Sequence, residues 1–167
     1  MDFLFDLALQ AGESWSWKGH PPLRRHIEDV VWSDVFEHAL VVDRATAKIA
    51  GYVSIHSVNL FHGVGYLSVY LERTMRSRGY LFEGVALLIQ RMFDSTPVRK
   101  LYTESTDETF RKFSGGAAFQ EEGRLVDYRM VRGRPCDLVI SAVSKHSWDL
   151  EIRPILKAVL GLSLIHI

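Results

Sequence analysis

Between Gly65 and Phe93 the hydrophobic period of the chain changes once, and the change marks its centre. Tyr66, Ser68 and Tyr70 alternate with Leu67, Val69 and Leu71, the period-two pattern of a strand with two distinct faces. The basic run Arg73-Thr74-Met75-Arg76-Ser77-Arg78-Gly79 interrupts it. Apolar residues then return as Phe82, Val85, Ala86, Ile89 and Phe93, the spacing of one helical face. The pattern predicts a strand, a basic turn and a helix that begins just past Gly79.

Elsewhere the same two periods divide the chain. Leu4, Leu7, Ala8 and Ala11 predict a first helix that starts at Asp2 and stops at Gly12. A loop carrying Trp15 and Trp17 follows, and Pro22 opens a second helix with Leu23, Ile27, Val30, Val31 and Val35 on its buried face. Residues 39–42 and 49–55 predict a hairpin, and residues 56–63, with His56 and His62, a connecting loop. Past the central helix, residues 98–104 read as a strand. Strand, helix and strand form a right-handed unit, with its two strands parallel. Ser105 and Glu108 have capping-box spacing before a short helix that Gly115-Gly116 closes. Residues 124–130 and 136–143 predict a last hairpin around Gly133, ending with Trp148. A final helix over 149–160 places Ile152, Ile155, Leu156 and Leu160 on one face.

Composition narrows the class. With 167 residues and 47% hydrophobic content, the chain can bury one core and is expected to fold as a single domain. Its 20 basic residues match its 20 acidic ones, so no overall field attracts nucleic acid or an anionic membrane, and neither is expected as a partner. One cysteine, Cys136, excludes an intramolecular disulfide, and no Cys/His cluster has zinc spacing, so no metal is expected. The opening residues carry two acids and no basic region, unlike a signal peptide, and no apolar run reaches the length of a membrane span; the expected compartment is the cytoplasm.

The chemistry gathers at the basic turn. The first amides of the central helix lack intrahelical partners and sit at the positive end of its dipole, Gly79 allows close backbone approach, and Arg76 and Arg78 add charge. This is an anion cradle suited to phosphate. Arg76-Ser77-Arg78-Gly79-Tyr80-Leu81 resembles motif A of the GNAT superfamily of acetyl-CoA-dependent N-acetyltransferases, [QR]-x-x-G-x-[GA], with Leu81 where the family has a small residue. Many members also open the later short helix with an asparagine at a fixed distance from a G-F pair. Asp107 and Ala118-Phe119 keep that register with altered identities, and Phe119-Gln120-Glu121-Glu122-Gly123 is similar to the F-x-x-E-G of the branch related to ribosomal-protein and aminoglycoside acetyltransferases. The resemblance runs from Asp2 to about Trp148.

It implies an α/β (α+β) fold: a mixed, largely antiparallel sheet with a central parallel strand pair splayed around the cofactor and helices on both faces. A GNAT domain over 1–149 is implied, its first strand upstream of Met1, with a helical extension over 150–161. Residues 162–167 resemble a translated sequencing adaptor and are set apart from the fold. Acetyl-CoA is the implied co-substrate, held by Val69, Leu71, Arg76, Ser77, Arg78, Gly79, Tyr80 and Leu81. A primary amine, on a small molecule or a peptide, is the implied acceptor, and the protein a monomer or homodimer.

In this reading the amine attacks the thioester directly, after losing a proton to a base. Glu104, at the end of the strand beside the cradle, is the first candidate; His56 is a second. Each is also an ordinary strand-end or loop residue in the alternative. The family's usual tyrosine acid falls on Ser114, so Tyr128 is the candidate to replace it. Trp15 and Trp17 either contact the acceptor or seal the core edge. Because Leu81, Ser114 and Ala118 depart from the active pattern, an inactive GNAT-like acyl-CoA-binding or interaction module is the alternative function.

Overall fold

The period-two segments become six strands of one sheet: β1 Val35–Val42, β2 Ile49–Asn59, β3 Val64–Leu71, β4 Lys100–Thr106, β5 Gln120–Val131 and β6 Arg134–Ser144. They stand in the order β1-β2-β3-β4-β6-β5. The β3–β4 pair is parallel, as the strand-helix-strand pattern predicts, and the other neighbours are antiparallel, giving the mixed sheet that the resemblance implies. The computed structural model describes residues 2–11, 25, 29, 33–72, 80–106, 118–131 and 133–160.

Helices α1 Asp2–Ala11, α2 Tyr80–Ser95 and α3 Arg153–Leu160 accompany the sheet. A helical turn, Lys145–Ser147, and a π-helical turn, Trp148–Ile152, lead from β6 into α3. α2 is the crossover between the parallel strands. Its Val85, Ala86, Ile89 and Phe93 pack on Val53, Ile55, Leu67 and Leu101 of the sheet, so the predicted helical face is the buried one. Ile152 and Leu156 enter the same core, which ties the chain's last described helix to α2. Trp148 closes this end: its ring meets Phe93 edge-on, and its Nε1–H donates to Gln90 Oε1 at 2.9 Å.

Several boundaries differ from the sequence reading. Val35, placed on the second helix, begins β1 instead, because Asp34 at φ 56° turns the chain out of helix. The helix itself falls mostly outside the described residues; Arg25 and Asp29 are helical, and Ser33 N–H donates to Asp29 O. β2 runs through the predicted loop to Asn59, with a register shift after His56 where Ser57 takes φ 49°. A strand accommodates one such residue as a bulge and keeps pairing beyond it. Ser105 pairs with Val139 inside β4 and Thr106 with Leu138, so Ser105 caps no helix. Ile155 is half-exposed rather than on the buried face of α3.

Candidate active site

The parallel pair parts early. Its ladder comprises Val64↔Lys100, Gly65↔Leu101 and Tyr66↔Tyr102, although β3 runs on to Leu71 and β4 to Thr106. Among the described residues, β3 beyond Tyr66 has ladder partners only in β2, and β4 beyond Tyr102 only in β6. Two strand edges therefore face a gap, each with main-chain N–H and C=O groups able to pair with a ligand. α2 starts at Tyr80, a short link beyond the end of β3, and its first-turn amides have no intrahelical acceptors. The expected cofactor contacts divide accordingly. Val69 and Leu71 lie on the open edge of β3, Val69 with its side chain against the core. Tyr80 and Leu81 open α2. Arg76, Ser77, Arg78 and Gly79 lie outside the described residues, as do Trp15, Trp17, Asp107 and Ser114. Ala118, in the position of the family's glycine, is buried in the core with Phe119 against it.

Alternation along the strands gathers a polar row on the sheet face opposite α2. Leu67, Ile55 and Leu101 point into the core, so Ser68, His56 and Tyr102 point the other way. Tyr66 stacks on His56 with centroids 5.9 Å apart and meets Tyr102 at 5.6 Å. His56 Nε2 lies 2.9 Å from Ser68 Oγ and its Nδ1 3.1 Å from Ser57 Oγ. The Ser57 hydroxyl donates to Asp34 Oδ2 at 2.6 Å. Burial lowers the pKa of His56, against smaller upward pulls from Asp34 and Glu104. The imidazole is thereby favoured in its neutral, proton-accepting form.

Glu104 stands on the same face, and its Oε2 takes a 2.9 Å ion pair from Arg129 Nη2 of β5. The Arg129 side chain is 17% exposed and that of Glu104 is 37% exposed, so the guanidinium is the more buried partner and the carboxylate the more accessible one. His56 and Glu104 are thus brought to one side of the splay. Tyr128 is not: it falls in the irregular stretch of β5 between Leu125 and Arg129, is 61% exposed, and holds its ring 5.6 Å from the Arg129 guanidinium carbon. Among the described residues no group of three or more His, Cys, Asp or Glu side chains is placed to hold a metal ion.

Sequence reasoning missed Asp34, Ser57, Ser68 and Arg129. Ser68 carried a signal, since alternation sets it on one face with Tyr66 and Tyr70. The others carried none, because Asp34 reaches Ser57, and Arg129 reaches Glu104, only across the sheet.

No protein-family model matches the sequence, and no curated protein matches it. Solved structures do. The spermidine N-acetyltransferase of Vibrio cholerae in complex with CoA and spermine superposes with a TM-score of 0.72 at 15% identity, over 88% of this chain and 90% of that one. The ribosomal-protein-S5-alanine acetyltransferase of Vibrio fischeri gives 0.59 at 21% identity, over 74% and 69%. The strand order, the parted parallel pair and the helix that follows β3 are thus those of a known architecture: this chain has the fold of the GNAT N-acetyltransferases.

Proposed function

We propose that the protein is an N-acetyltransferase that moves the acetyl group of acetyl-CoA to a primary amine, with both substrates bound together. The observation that carries this is the gap between β3 and β4, bordered by two open strand edges, with the start of α2 beside it. Acetyl-CoA fits that arrangement chemically. Its pyrophosphate suits the amides from Arg76 to Leu81, and its pantetheine amides suit the open edge of β3 at Val69 and Leu71. Main-chain N–H groups of that edge then polarise the thioester oxygen.

The acceptor belongs on the polar face. An ammonium group is attracted by Glu104 and by the rings of Tyr66 and Tyr102. Spermine, in the Vibrio cholerae complex, is an amine, and this face suits that chemical class. The amine attacks only when neutral, and among the described residues Glu104 and His56 are the two candidates on this face to accept its proton. Tyr128, the sequence candidate for the role of acid to the departing thiolate, lies away from the splay, and no residue is assigned to it. That role is undemanding, since a thiol ionises near a pKa of about 8.5.

The test is thiol release from acetyl-CoA, followed colorimetrically against a panel of amines that includes spermine and a peptide with N-terminal alanine. Amine-dependent release supports the reading. A protein that binds CoA and releases no thiol with any amine is instead the inactive acyl-CoA-binding module.

A further inference from the structure

His56 is held by a hydrogen-bond chain whose direction is fixed at one end. A carboxylate only accepts, so the Ser57 hydroxyl must donate to Asp34, and its oxygen is left to accept from His56 Nδ1–H. In a neutral imidazole the proton on Nδ1 leaves Nε2 as the acceptor. The Ser68 hydroxyl, 2.9 Å away, is then the donor to it. The backbone is bent to make this chain. Asp34 and Ser57 both hold positive φ, 56° and 49°, in a region that side chains other than glycine occupy at a cost. Ser57 N–H also donates to Asp34 O, which locks the two turns together. Two strained residues that meet each other and hold one histidine are a built feature of the sheet. Ser68, at the other end, lies on β3 just past the point where β4 parts from it.

Resting on the acetyl-transfer reading above, we propose that Ser68 and His56 form the proton relay for the acceptor amine, with Ser57 and Asp34 as positioning residues that hold the productive tautomer. The ammonium gives a proton to Ser68 Oγ as the Ser68 hydroxyl proton passes to His56 Nε2. The freed nitrogen pair forms the bond to the acetyl carbon, the carbon–sulfur bond breaks, and its pair leaves on sulfur. The amine's surplus second proton ends on that sulfur as the CoA thiol, and the first returns from His56 to solvent. Among the described residues, the charged and titratable groups around the imidazole are Asp34 ahead of β1, Tyr66 on β3, and Glu104 on β4 with its partner Arg129 on β5. Asp34 stabilises the imidazolium that forms, and Asp34→Asn keeps an acceptor for Ser57 while removing that charge.

Two readouts decide the matter. Nitrogen-15 NMR of the imidazoles, with His56 assigned by His56→Gln, reads the tautomer without any substrate. Wild type is expected to carry its proton on Nδ1, and Ser57→Ala to shift population toward Nε2–H. An Nε2–H tautomer in wild type, or one indifferent to Ser57→Ala, overturns the positioning. With the amine from the panel that gives fastest release, Ser68→Ala is expected to lose roughly 10²- to 10⁴-fold in kcat. CoA affinity should hold, and Ser68→Thr, which keeps the hydroxyl in a strand-compatible side chain, should restore most of the rate. Asp34→Asn should move the acid limb of kcat/KM to lower pH. Release that survives Ser68→Ala, or an Ala variant that loses rate and CoA binding together without rescue by Thr, overturns the relay alone. No release by wild type overturns acetyl transfer, and the relay with it.

Discussion

Gly84 lets α2 lie close against β1. A Cβ added there would stand 2.7 Å from Val41 Cγ2 and 3.0 Å from Val41 Cγ1. Val41 is buried and β-branched, so neither methyl swings away cheaply. The substitution Gly84→Ala sets two effects against each other. Alanine is better than glycine inside a helix by about 0.8–1 kcal/mol. Forcing a methyl into a packed core costs about 1–3 kcal/mol. A Cβ contact under 3 Å against a stiff side chain puts the cost in the upper part of that range, so the net loss should be about 1–2 kcal/mol. For a domain of this size each kcal/mol lowers the melting midpoint by about 2–4 °C. Thermal unfolding followed by circular dichroism should therefore show a fall of several degrees. The background variant Val41→Ala removes both methyls, and adding Gly84→Ala to it should stabilise, because only the propensity gain then remains. A rise in midpoint for Gly84→Ala alone, or the same sign in both backgrounds, would refute the packing argument.

Other consequences follow from the buried and charged groups. Trp148→Phe removes the donor to Gln90 Oε1 inside the core, and leaving that acceptor unmet should cost about 1–3 kcal/mol by denaturant titration; a loss below 0.5 kcal/mol would mean that the bond contributes little (about 1 kcal/mol is typical). Glu104→Gln removes the charge that pairs with Arg129 and draws the ammonium, so KM for the amine should rise more than kcat falls; a drop in kcat of roughly 10²- to 10⁴-fold at unchanged KM would make Glu104 the base in place of His56. Burial lowers the pKa of His56 in the folded protein, so the unfolded chain binds that proton more readily and protonation favours unfolding. Its contribution to stability is whole above the ordinary histidine pKa of about 6.5 and is lost as pH falls from there through the folded-state value. Between about pH 7 and about pH 5 wild type should lose more stability than His56→Gln, and equal losses would refute the assignment.

How far the molecule could be read from its sequence depended on how local each signal was. The alternation of Tyr66, Ser68 and Tyr70 with Leu67, Val69 and Leu71 placed β3, and Val85, Ala86, Ile89 and Phe93 gave the buried face of α2. Both patterns repeat within a few residues. The junctions were harder. Val35 fits a helical face as well as a strand, and only the turn at Asp34 decides for the strand. The continuation of β2 past His56 depends on a bulge at Ser57, which a pattern of polar residues reads as loop. Glu104 could be named as a candidate because it falls late in the strand beside the basic turn, and His56 because an imidazole suits acid-base work. Arg129, Ser57 and Asp34 could not, since their partners are brought to them by the sheet rather than by the chain.

Under the proposed function, acetyl-CoA occupies the gap between β3 and β4, with its phosphates at the start of α2. A calorimetric titration of CoA into wild type and into the Arg76→Ala, Arg78→Ala double variant tests it directly. Saturable one-to-one binding is expected for wild type. Each charge-assisted contact contributes about 1.5–3 kcal/mol, so losing both should weaken affinity by roughly 10²- to 10⁴-fold. Absence of CoA binding by wild type, or equal affinity in the two proteins, would contradict the claim.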